Sequence, residues 1–159
     1  MMATMEVMMS GRKRLVVIVG PTGSGKTDLS IGVAEHFGAP IISTDSRQFY
    51  RGMAIGTAQP SREQLARVEH HLVDCLDVTE EFNCGAYERV ALERLAELFK
   101  IHDTVVAVGG SGLYIKALCE GMDDLPDADP ALREELLKRI ETEGLESLVE
   151  QLRKLDEIY

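Results

Sequence analysis

The 159-residue chain is short of positive charge, of cysteine and of long apolar runs. Lysine and arginine number 17 against 27 Asp and Glu, a net charge of −10. Composition therefore does not advertise a nucleic-acid protein, because non-specific binding to nucleic acid is driven by clustered Lys and Arg. The deficit is uneven: residues 1–122 carry 12 basic against 15 acidic side chains, residues 123–159 carry 5 against 12. Three cysteines, Cys75, Cys84 and Cys119, with no C-x-x-C pair, point to reduced thiols and a cytoplasmic setting, not a disulfide framework. No run approaches membrane-spanning length. The first ten residues contain Glu6 and no basic stretch ahead of an apolar one, which is not the pattern of a secretory signal; residues 1–13 read as a flexible leader.

What is present is a β-branched apolar run, Leu15-Val16-Val17-Ile18-Val19, that empties into Gly20-Pro21-Thr22-Gly23-Ser24-Gly25-Lys26-Thr27. The spacing is G-x-x-x-x-G-K-[ST], with a strand pattern before it and a helical pattern after it, which is the context a phosphate-binding loop requires. Gly20, Gly23 and Gly25 permit conformations and close approaches that a Cβ would block, so successive N–H groups can turn onto phosphate oxygens. Lys26 supplies a mobile charge for a terminal phosphate, and the Thr27 hydroxyl suits Mg²⁺.

Leu29, Ile31, Val33, Ala34 and Phe37 recur at helical spacing until Gly38-Ala39-Pro40. Ile41-Ile42-Ser43 then reads as a short strand delivering Asp45 to the end of the sheet where ligands collect in open α/β folds. Asp45 has two readings, a turn cap or a general base toward a second substrate. Residues 52–60 read as a loop, and Ser61 to Gln64 as a capping box. His70-His71 would point to opposite faces of a strand, which argues against a shared metal ion. Asn83 caps a long helix whose apolar set is Tyr87, Val90, Ala91, Leu95, Leu98 and Phe99.

A second apolar strand, Thr104 to Val108, runs into Gly109-Gly110-Ser111-Gly112. It lacks the aspartate that many phosphate-loop nucleotidases place there to hold Mg²⁺, and this weakens the case for ordinary ATP hydrolysis. Gly109 and Gly110 are either a tight turn or a place where substrate approaches the backbone, with Ser111 able to hydrogen-bond it. Beyond Gly121 an acidic connector leads to Asp129 and Pro130, which open a helix lined by Leu132, Leu136, Leu137 and Ile140. Leu145, Leu148, Val149, Leu152 and Leu155 mark a second. Two amphipathic helices alone cannot bury both apolar faces, so residues 123–159 read as the beginning of a helical insertion, truncated at its end.

The fold expected is α/β, a three-layer parallel sheet of the P-loop NTPase type over residues 14–122. The ordered set Gly20 to Thr27, Asp45-Ser46-Arg47-Gln48-Phe49-Tyr50, Gly56-Thr57-Ala58-Gln59-Pro60, His70-His71-Leu72-Val73-Asp74 and Gly109-Gly110-Ser111-Gly112-Leu113-Tyr114 resembles the tRNA dimethylallyltransferases. Gly23 stands where that family often has Ala, and Ser111 where it usually has Thr.

The resemblance implies a cytoplasmic monomer that transfers a dimethylallyl group from dimethylallyl diphosphate to the exocyclic amine of the adenosine 3′ of the anticodon in tRNA. It implies that the phosphate loop, Lys26 and Thr27-bound Mg²⁺ hold the diphosphate, and that Asp45 takes the proton. Ser46, Arg47 and Gln48 would hold the target base, with Ser111 and Arg133 at further positions of tRNA contact. The alternatives are prenyl transfer to a free adenine nucleotide and an ATP-dependent small-molecule kinase. A guanine-specific switch would need an N-K-x-D element, which the sequence does not contain.

Overall fold

The computed structural model describes residues 4–10, 13–122 and 129–156, the first stretch as backbone only. The chain divides into two compact units, residues 1–122 and 123–159. In the first, β2 (Lys13–Val19) leads through the phosphate loop into α1 (Lys26–Phe37), and β3 (Ile41–Ser43) follows. Two short helices, α2 (Ala54–Thr57) and α3 (Arg62–Arg67), precede the two-residue strand β4 (His70–His71). The unit closes with α4 (Cys84–Ile101), β5 (Thr104–Gly109) and α5 (Gly112–Glu120).

One sheet runs through this unit in the order β1-β2-β5-β3-β4, where β1 is Thr4–Ser10. The last four strands are parallel. β5 lies between β2 and β3, so the two loops that leave β2 and β5 emerge side by side at the carboxyl edge. Helices cover both faces, as a parallel sheet requires. On one, Ile31 and Ala34 of α1 pack on Val16, Ile18, Ile41 and Val106; on the other, Tyr87, Ala91, Leu95 and Leu98 of α4 and Tyr114 of α5 pack on Leu15, Val17, Ile42 and Val105. Full burial of one such aliphatic side chain stabilises the fold by about 1.5–3 kcal/mol, so the run Leu15 to Ile18, buried throughout, anchors the loop that follows it.

Four sequence expectations need correction here. The stretch read as a flexible leader contains β1, which pairs antiparallel with β2 from Thr4↔Val19 to Ser10↔Lys13. The outer edge of β2 would otherwise present a row of unpaired N–H and C=O groups, and β1 adds one antiparallel strand beside the parallel sheet expected of the following residues. In α1, Leu29 and Phe37 are exposed and Ser30 is buried in their place. The loop of residues 52–60 includes the single turn α2, and Val90 of α4 is exposed.

The caps follow the sequence closely. Ser61 and Gln64 form a reciprocal capping box, and the Asn83 side-chain oxygen accepts from the Ala86 N–H. In the second unit α6 (Pro130–Glu143) starts on Asp129, whose carboxylate accepts from the N–H groups of Ala131 and Leu132, and α7 (Leu145–Leu155) packs on it. Neither helix has a buried residue. The acidic connector, residues 123–128, lies outside the described residues.

Candidate active site

The phosphate loop takes its shape from two glycines in the left-handed region, Gly23 at φ 79° and Gly25 at φ 80°, where a Cβ would be strained. Gly25 is also the N-cap of α1, so the helix starts at Lys26 with its first N–H groups facing the loop. The Pro21 carbonyl accepts from the Ser24 N–H at 3.3 Å and from Lys26 Nζ at 2.6 Å. Lys26 thus rests on its own loop with two of its three donors left for a ligand. The Ser24 hydroxyl is buried without a hydrogen-bond partner, an unspent polar group inside the loop.

Two cavities open beside this loop. The first, about 280 Å³, runs from Gly23, Lys26 and Thr27 past Asp45 to His70. The second, about 470 Å³, is bounded by Gly20, Pro21, Ser46, Arg47, Gly110 and Ser111. Thr22, Asp45, Thr57 and Ala58 line both, so the cavities adjoin with a carboxylate at their junction. The phosphate-loop cation faces the first, and the Arg47 side chain is exposed beside the second.

Asp45 performs the capping role and remains available for another. One carboxylate oxygen accepts from the Arg47 N–H at 3.0 Å, and the Asp45 N–H donates to the Ser43 hydroxyl at 3.2 Å. An ionised carboxylate has room for further donors on its second oxygen. Thr27 faces the same cavity, and its hydroxyl is not spent on a hydrogen bond among the described residues. The first cavity therefore offers the Thr27 hydroxyl and the carboxylates of Asp28 and Asp45 next to a phosphate cradle, which fits Mg²⁺, an ion held by one or two carboxylates plus substrate phosphates. Among the described residues no group of three or more His, Cys, Asp or Glu could form an all-protein metal cage.

The remaining candidates separate. Ser46 and Ser111 meet: the Ser46 N–H donates to Ser111 Oγ at 2.8 Å, and the two hydroxyls are 3.0 Å apart. Gln48, expected to hold a base, spends its side chain internally, accepting from the Ser43 hydroxyl at 3.2 Å and donating to the Ala58 carbonyl at 3.1 Å. Gly109 lines the first cavity, yet the space of its missing side chain is not left to substrate. A Cβ there would collide with the Thr44 hydroxyl and carbonyl, so its missing side chain serves the packing of β5 against the end of β3. Gly110 does line the second cavity. Arg133 belongs to the second unit, exposed on α6.

His70 was not among the candidates from sequence. Its Nδ1 lies 2.7 Å from the Val68 carbonyl and therefore carries the proton, which leaves Nε2 as a buried acceptor without a partner. Burial pushes its pKa down, partly offset by the Val68 carbonyl. Ser43 and Gln59 were likewise missed, since Gln59 stood only in a loop. The one signal for His70 and Gln59 was their place within stretches that carry the family resemblance; Ser43 lies just ahead of one. No helix among the described residues is long and apolar enough to cross a membrane.

A family model described as IPP transferase matches residues 48–159. The chain is 49% identical over 145 residues to tRNA dimethylallyltransferase 1 of Phocaeicola vulgatus, covering 91% of this chain and 48% of the relative. It is 51% identical over 145 residues to tRNA dimethylallyltransferase 2 of Porphyromonas gingivalis, with the same coverage. Among solved structures, the tRNA isopentenylpyrophosphate transferase of Bacillus halodurans superposes with a TM-score of 0.68 at 37% identity, covering 91% of this chain and 48% of that one. A eukaryotic dimethylallyltransferase captured acting on tRNA gives a TM-score of 0.65 at 26% identity, over 74% and 30% of the two chains. The chain spans about half the length of the curated relatives it matches.

Proposed function

The chain belongs to the IPP transferase family, and from that premise we propose that it carries the catalytic core for transfer of a dimethylallyl group from dimethylallyl diphosphate to an adenine amine of tRNA. The observation that supports this most is the meeting of two cavities at Asp45, one lined by the phosphate loop and the other by Ser46, Arg47 and Ser111. A phosphate loop reads oxygens through N–H groups and a cation, and is indifferent to what the phosphates are attached to. It serves an allylic diphosphate as well as a nucleotide.

In this reading the loop N–H groups and Lys26 hold the diphosphate in the first cavity and stabilise the charge that gathers on it as the allylic C–O bond breaks. Thr27 would hold Mg²⁺ together with the diphosphate oxygens, and the ion would supply further charge neutralisation on the leaving diphosphate. The adenine approaches through the second cavity, where Arg47 is placed to pair with RNA phosphate and Ser46 and Ser111 present hydroxyls to the base. The exocyclic nitrogen forms the new bond to the allylic carbon, and its proton passes to the Asp45 carboxylate, the acceptor at the junction. The base must leave its stack to reach this position, as in other enzymes that act on bases.

The test is product analysis. Purified protein, labelled dimethylallyl diphosphate and tRNA should yield prenylated adenine in the anticodon loop, dependent on Lys26. Label appearing only on AMP, or ATP consumed with a hydroxylated acceptor while the allylic diphosphate is ignored, would overturn the reading.

A further inference from the structure

Residues 57–60 wall the first cavity, Thr57 and Ala58 wall the second as well, and among the described residues only two side-chain amides hydrogen-bond that wall to the Asp45 turn. Gln48 Nε2 donates to the carbonyls of Ala58 at 3.1 Å and Thr57 at 3.5 Å. Gln59 Nε2 donates back to the carbonyls of Gln48 at 2.8 Å and Tyr50 at 3.1 Å. Gln59 thus grips the backbone of Gln48 and Tyr50, and Gln48 grips the two residues just ahead of Gln59. The outer side of the turn is secured separately, by the N–H groups of Asp74, Cys75 and Leu76 donating to the carbonyls of Gln48 and Phe49. Gln48 is in turn fixed at its amide oxygen by the buried Ser43, whose hydroxyl also accepts from the Asp45 N–H. Ala58 sits at φ 50°, a left-handed conformation that a residue with a Cβ keeps only where its surroundings over-determine it.

We propose that Gln59 is a positioning residue for prenyl transfer: through this double clasp it fixes the gap between Asp45 and residues 57–58, and so the passage by which the two cavities communicate. The inference rests on the proposed reading of the site. A passage of fixed width brings the adenine amine onto the allylic carbon and keeps bulk water off it. When the clasp is loosened, water competes. Its oxygen bonds to the allylic carbon, the C–O bond to diphosphate breaks with the electron pair leaving on the diphosphate, and the water proton goes to Asp45, giving a prenyl alcohol.

Gln59→Glu is the decisive variant, because it keeps the side chain's size while replacing the donating NH₂ by an acceptor that repels both carbonyls. Gln59→Lys keeps donors at that place. With labelled dimethylallyl diphosphate and tRNA, Gln59→Glu should raise the ratio of prenyl alcohol to prenylated adenine by about tenfold or more, the scale of loss that sub-ångström misplacement produces. Gln59→Lys should bring the ratio back toward wild type. Amide hydrogen exchange across residues 57–60 should quicken in Gln59→Glu. An unchanged ratio beside an active wild type overturns the positioning role and leaves the reading of the site standing. If the wild type transfers nothing to tRNA, that reading fails and the role with it. Unchanged exchange in Gln59→Glu overturns the clasp whatever the activity.

Discussion

Ser111 and Ser46 bind one another at the carboxyl edge of the sheet across 65 residues of sequence, the Ser46 N–H donating to Ser111 Oγ at 2.8 Å and the two hydroxyls lying 3.0 Å apart. The contact joins the loop after β5 to the Asp45 turn, so the geometry of the second cavity depends on it. Ser111→Ala leaves the Ser46 N–H without its acceptor, and a partly buried orphan of that kind costs about 1–3 kcal/mol. A lowered urea midpoint together with slower transfer is expected, and Ser111→Thr, which keeps the hydroxyl, should preserve both. Equal behaviour of the Ala and Thr variants would remove the hydroxyl from the account.

Asp45→Asn separates capping from proton transfer. An amide oxygen can still accept from the Arg47 N–H, so the turn and the thermal midpoint should hold. Asn cannot take a proton at neutral pH, and a general base contributes about 10²–10⁴-fold. Single-turnover transfer should fall by that order with tRNA affinity little changed; a rate near wild type would leave Asp45 as a cap alone.

Gly109→Ala should destabilise the fold by about 1–3 kcal/mol, the usual cost of overpacking a closed site. The added Cβ meets backbone as well as the Thr44 hydroxyl, and backbone cannot swing aside. Urea unfolding measures this directly, and a loss under about 0.5 kcal/mol would show that the strand end has slack.

Acid should weaken the fold through His70 and His71. Burial holds both imidazoles below the ordinary 6.5, so the unfolded chain binds protons at a higher pH than the folded one. Their contribution is therefore complete above about pH 6.5 and is lost as pH falls from there toward the folded values. Glu35 and Asp77 have lowered pKa values, from 4.5 and 3.8, and act only in more acidic solution. The thermal midpoint should drop between about pH 7.5 and 5.5, and His70→Gln should shallow that slope. An unaltered slope in His70→Gln would place the titration elsewhere.

Much of the molecule was written locally. The phosphate loop, the caps at Ser61, Asn83 and Asp129, and the buried run Leu15 to Ile18 follow from neighbours within a few residues. Glycine conformations, cap hydrogen bonds and strand patterning all act over that range. The position of Asp45 at the ligand edge followed from its place just beyond a strand.

What only the tertiary structure decided has its partners far away in the chain. The sequence around Gly109 cannot reveal that its missing Cβ is filled by Thr44, because β3 and β5 become neighbours only when the sheet forms. Gln48 carries groups that could bind a base, yet Ala58 and Ser43 consume them once residues 57–60 fold back over the turn. Ser30 takes a buried place that periodicity would give to Leu29, because the direction of the α1 face is set by the sheet beneath it. The open edge of β2 draws Thr4–Ser10 into pairing, although nothing within that stretch marks it as a strand. Residue type and spacing determined which chemistry the chain could hold; the pairing of distant backbone, whose buried N–H and C=O groups need partners, decided which side chains were left free to perform it.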